Sequence, residues 1–87
     1  MDTSKDAPTF HLKIWAPFRV YFDDVAYSIS AENDTGPFDV LAEHKNFISL
    51  LNPCELKLQT PKGDQKIRIA RGMMHVKQND VTVFLDV

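Results

Sequence analysis

The chain has 87 residues, 44% of them apolar and 25% charged, with a net charge of −2 and a pI near 5.8. That size bounds the molecule to one domain with a thin core, hiding roughly 60–65% of its unfolded surface. The acid excess and the absence of any paired Lys/Arg run exclude a nucleic-acid binder, and no apolar run nears the roughly 20 residues a membrane helix needs.

In chain order, MDTSKDAPT (residues 1–9) is polar, with Asp2 and Asp6 and no apolar core, so it is neither a secretory signal nor an Arg-rich transit peptide. It is expected to be mobile, leaving residues 10–87 as the folded domain. FHLKIW alternates Phe10, Leu12 and Ile14 with His11, Lys13 and Trp15, the period of a half-buried strand. Ala16-Pro17 breaks that strand. FRVYF follows, with Phe18, Val20 and Phe22 on one phase. Asp23-Asp24 predicts a tight reversal before VAYSISA, and residues 33–37 read as a loop. FISLL ends at Asn52-Pro53. Pro61 to Asp64 predicts a hairpin turn between ELKLQ and QKIRIA, and Gln78 to Asp80 another before Val81, Val83 and Leu85. No segment of ten or more residues carries helical spacing. The fold predicted is all-β, a small antiparallel sandwich or flattened barrel of eight to ten short strands.

Residues with reactive side chains form no catalytic pattern. His11, His44 and His75 are scattered and lack metal-ligand spacing. Cys54 is the only cysteine, which excludes an intrachain disulfide, fits a reducing compartment and leaves a small, partly buried residue as the expectation. Glu43-His44 would cooperate as an acid/base pair only in a turn, since neighbours on a strand face opposite ways. The glycines cannot form a phosphate cradle. The chain reads as non-catalytic, with no cofactor and no metal. Trp15, Tyr21, Met73 and Phe84 fall off the apolar phase of their strands. If exposed, they form an aromatic and thioether docking patch, because such residues anchor interfaces.

Four blocks carry a family resemblance: FHLKI with its Pro-containing break, YFDDVAYSISA, GPFDVLAEHKNFISLLNP and RGMMHVKQNDVTVFLD. Their order and spacing resemble the N-terminal β-sandwich domain of the epsilon subunit of F-type ATP synthases, from Phe10 to the end. Gly36, His44, Pro53, Gly72 and Asp86 match the family pattern. Asp39, Ala42, Glu43 and Arg71 stand where the family has Gly, Pro, Gly and Gly. The resemblance implies a non-catalytic clamp in the rotating central stalk of a bacterial enzyme, coupling ion flow to ATP synthesis. Its implied partners are the gamma subunit and the membrane c-ring, at the cytoplasmic face of the plasma membrane, with only indirect membrane contact. Gly36, Pro37 and Phe38 correspond to the ring-facing segment, and His44, Lys45, Asn46, Phe47 and Ile48 to the gamma-facing one. Asp39 and Glu43 are expected at an exposed loop, altering partner contacts. The chain stops at Val87, before the two C-terminal helices usual in the family, so no helical brake is expected. The alternative is a free-standing sandwich acting as an adaptor or small-ligand module outside any rotary machine.

Overall fold

The computed structural model describes residues 7–86 and contains nine β-strands: β1 (Phe10–Ala16), β2 (Arg19–Ala26), β3 (Ser28–Asn33), β4 (Gly36–Leu41), β5 (Phe47–Leu51), β6 (Cys54–Thr60), β7 (Gly63–Ile69), β8 (Gly72–Lys77) and β9 (Asp80–Leu85). They form a sandwich. One sheet has the order β2-β1-β9-β8-β5 and the other β4-β3-β6-β7. All pairings are antiparallel except β1 with β9. The expected all-β sandwich is therefore what the chain forms. Residues 1–6 of the segment expected to be mobile lie outside the described residues.

The core follows from alternation. Phe10, Leu12 and Ile14 of β1, Val81, Val83 and Leu85 of β9, and Met74 and Val76 of β8 face Ile29, Val40, Leu56, Leu58 and Ile69 of the other sheet. At about 25 cal/mol per Å² of apolar surface removed from water, this packing is the main term holding the sheets together. Cys54, expected to be partly buried, is buried at the start of β6.

Four sequence expectations are corrected. First, Asp23-Asp24 is not a reversal: both residues lie inside β2, paired with Lys13 and Leu12, and the chain changes sheets at Tyr27 instead. The Tyr27 N–H donates to the Gln59 carbonyl across the corner at 2.7 Å. β2 is an edge strand, where carboxylates can reach water and a lysine. Second, Phe18 is not a strand residue but the tip of the Pro17-Phe18 turn, fully exposed. Third, Gly36–Leu41 is a strand whose alternation Pro37 and Asp39 disguise, so the loop shrinks to the turn before Gly36. Asp39 is accordingly exposed in mid-strand, not in a loop, and accepts a hydrogen bond from the Ser30 hydroxyl at 2.6 Å. Fourth, the apolar phase of FRVYF is broken by a bulge: Trp15 pairs with Val20 but Ile14 with Phe22, leaving Tyr21 as the extra residue.

Candidate docking surface

The two outer faces of the sandwich differ in chemistry. On the four-stranded sheet the outer row reads Asp39, Ser30, Lys57, Lys66, and Glu55 pairs with Arg68 beside it. That face is built for water. On the five-stranded sheet the register sets Val20, Trp15, Phe84, Met73 and Leu50 side by side, one residue from each strand. The Trp15 and Phe84 rings meet edge to face, centroids 4.7 Å apart, so both are half-buried by each other and their neighbours. Val20, Met73 and Leu50 are 55%, 44% and 72% exposed. Ile48, 64% exposed, adds to the row one step along β5, opposite His75.

Trp15, Met73 and Phe84 are thus brought together as the off-phase reading expected, and Tyr21 is not. The bulge turns Tyr21 against the core, where the Arg19 guanidinium lies over its ring at 4.6 Å. Val20 and Leu50 were missed, since each looks like an ordinary core position within its own strand. Only the cross-strand register reveals the row. A cleft of about 410 Å³ ends it, where Leu50, Met73 and Phe84 meet the Arg71–Asp86 ion pair.

The two segments assigned by resemblance open β4 and, past its end, lead into β5, and they meet where Phe38 touches Phe47. Gly36 begins the strand with φ +126°, a conformation that favours glycine. Pro37 is exposed, while Phe38 turns inward and meets Phe47 edge-on at 6.2 Å. At the far end, roughly 17–20 Å away for a six-residue strand, the chain passes through residues 42–46 into β5. Glu43 there has φ +64°, so the left-handed turn expected of a glycine is kept by a residue that bears a side chain. Arg71 lies outside the positive-φ region among the described residues, and its side chain is free to pair with Asp86 at 3.2 Å. Gly72 does need its hydrogen, since a Cβ would sit 3.0 Å from the Phe84 carbonyl oxygen. His44 donates from Nδ1 to the Leu41 carbonyl and packs edge-on against Phe10, with centroids 5.8 Å apart. Asn46 accepts from the Gln78 N–H at 2.7 Å, tying this loop to the β8–β9 turn. Lys45 is exposed, and Phe47 and Ile48 open β5.

The polar clusters do not converge. His11 lies between two carboxylates, with Nε2 2.7 Å from Asp23 and Nδ1 3.7 Å from Asp80. The two aspartates address opposite sides of the ring, so the three cannot share one ion. His75 and His44 sit elsewhere, and no group of three or more His, Cys, Asp or Glu among the described residues could hold a metal. Lys62 reaches across from the β6–β7 turn to Asp24 at 2.8 Å. That bond, then the Val25 N–H, holds the Asp24 carboxyl below its ordinary value, and the same pairing raises Lys62. No helix among the described residues is long and apolar enough to cross a membrane.

A sandwich with an apolar row across one outer face and a charged row across the other has the build of a protein-docking module. The chain belongs to the ATP synthase Delta/Epsilon chain beta-sandwich domain family, whose model matches residues 9–87. It is 36% identical over 81 residues to the ATP synthase epsilon chain of Clostridium novyi, covering 92% of this chain and 62% of that one. It is 29% identical over 79 residues to the ATP synthase epsilon chain of Bradyrhizobium sp. (strain ORS 278), covering 91% and 58%. The chain therefore spans about six-tenths of the length of these relatives. In fold it is similar to a chain of the Euglena gracilis mitochondrial ATP synthase OSCP/F1/c-ring assembly, with a TM-score of 0.81 at 20% identity over 88% of this chain and 50% of that one. A chain of the Tetrahymena thermophila mitochondrial ATP synthase central stalk and c-ring superposes with a TM-score of 0.77 at 14% identity, covering 88% and 63%.

Proposed function

We propose that this chain serves as an epsilon subunit in the central stalk of a bacterial rotary ATP synthase. In this reading it performs no chemistry. It grips the gamma subunit through β5 and the apolar row, and stands on the c-ring with the Gly36–Phe38 end. It works at the cytoplasmic face of the plasma membrane, which it touches only through its partners. The observation that carries the reading is the 36% identity to an ATP synthase epsilon chain across 92% of the chain.

The physical logic follows from the geometry. A part that passes rotation from ring to stalk must hold both without deforming. Both proposed contact surfaces sit on strands, and each strand is hydrogen-bonded to a neighbour along its length. Covering an exposed Leu50 or Ile48 releases about 1.5–3 kcal/mol per side chain, so a few such residues suffice to anchor a partner.

Co-expression with the gamma subunit of the same genome tests the proposal. Native mass spectrometry is expected to show a stable one-to-one complex, with an interface of about 800 Å² on each partner. Two separate species at micromolar concentration would contradict it.

A further inference from the structure

Among the described residues, four strands lie at sheet edges: β2 and β5 in one sheet, β4 and β7 in the other. An open edge is a template for any passing strand, and proteins guard theirs with charge, proline or a bulge. Three of the four are guarded. β2 has its bulge at Tyr21 and carries Arg19, Asp23 and Asp24. β4 carries Pro37 and Asp39. β7 carries Asp64, Lys66 and Arg68. β5 reads FISLL, with no charge, no proline and no register shift against β8.

β5 is also held straight. Asn46 ties its start to the β8–β9 turn. At its end the Asn52 N–H donates to the Glu32 carbonyl at 2.9 Å, and the Asn52 side chain donates to Asp34 at 3.0 Å. Midway, Asn33 donates to the Ser49 hydroxyl at 3.0 Å, which sets β5 over β3. β4 lies outside β3 and its Phe38 reaches Phe47, so it provides a floor for a position beside β5 that none of the described residues fills. Sheets stack about 10 Å apart and strands sit about 4.8 Å apart, so that position is one strand wide.

We infer that gamma binds by adding an extended strand to β5, so that main-chain hydrogen bonds, and not side-chain contacts alone, fix its register. This rests on the reading of gamma as partner given above. The added segment has alternating apolar residues. One set faces outward beside Ile48 and Leu50, continuing the apolar row onto the partner. The other set faces inward toward Phe38 and Phe47. The uncharged edge is thus a receptor site left unguarded for one strand.

Amide hydrogen exchange, read residue by residue by NMR on the chain alone and in complex with gamma, tests this. Strand addition slows every second amide of residues 47–51, those pointing away from β8, by about a hundredfold or more. A complex in which these amides exchange at the free rate, or in which all of β5 slows alike, overturns strand addition and leaves the partner assignment standing. Failure to form any complex overturns both.

Discussion

Replacing Glu43 with glycine is expected to stabilise the protein, and replacing Asp39 with glycine to destabilise it, although the sequence resemblance implies glycine at both positions. Glu43 has φ +64°, in the left-handed region that costs an L-residue about 1–2 kcal/mol. Glycine removes that strain but loses about 0.5–1 kcal/mol of backbone entropy, so the net gain is about 0.5–1 kcal/mol. Asp39 sits in extended β4 and accepts the Ser30 hydroxyl at 2.6 Å. Glycine there loses about 0.5–1 kcal/mol through strand entropy and a similar amount through the exposed hydrogen bond. For a domain of this size each kcal/mol moves Tm by about 4–8 °C. Glu43→Gly should thus raise Tm by about 2–8 °C and Asp39→Gly lower it by about 4–16 °C, read by differential scanning calorimetry. The double variant should fall between the two, because the sites share no contact and their effects add. If Glu43→Gly lowers Tm as Asp39→Gly does, the left-handed turn at residue 43 is not where the strain lies, and the reasoning fails.

Leu12→Ala, at a fully buried position, should cost about 2–5 kcal/mol in urea unfolding through the cavity it leaves. Met73→Lys should leave stability within about 0.5 kcal/mol, since Met73 is half-exposed, yet weaken gamma binding at least about tenfold by isothermal titration calorimetry. Lys62→Met should flatten the acid limb of a Tm-versus-pH curve. The Asp24 carboxyl is held below its unfolded value of 3.8, so its contribution is present above that pH and fades as pH falls through the lower folded value. The raised Lys62 contributes below 10.5 and fades as pH rises through its folded value, so the same variant should also flatten the alkaline limb, the loss of Tm falling on the plateau between the limbs and being small for so exposed a pair.

The fold was largely legible because period-two alternation survives in β1, β6, β8 and β9, where one face meets the core and the other water. β4 was hidden because Pro37 and Asp39, both turn-favouring residues, occupy its solvent face. The reversal was misplaced to Asp23-Asp24 for the same reason: aspartates signal turns locally, while only the ladder with β1 shows that they lie on an edge. The docking row was half legible. Trp15, Met73 and Phe84 betray themselves by breaking phase. Val20 and Leu50 join them only through register between strands up to 69 residues apart in sequence, as from Trp15 to Phe84, which no local pattern encodes. Tyr21 broke phase for a different reason, the bulge.

The most direct test of the account uses single cysteines in the assembled enzyme. On a Cys54→Ser background, Pro37→Cys and Ile48→Cys would each be joined to neighbours with a short cross-linker. Pro37→Cys is expected to link to a c-ring subunit and Ile48→Cys to gamma, because Pro37 stands exposed near the start of β4 and Ile48 stands exposed on the outer face of β5. Linkage of both to the same subunit, or of neither to any stalk or ring subunit, would contradict the account.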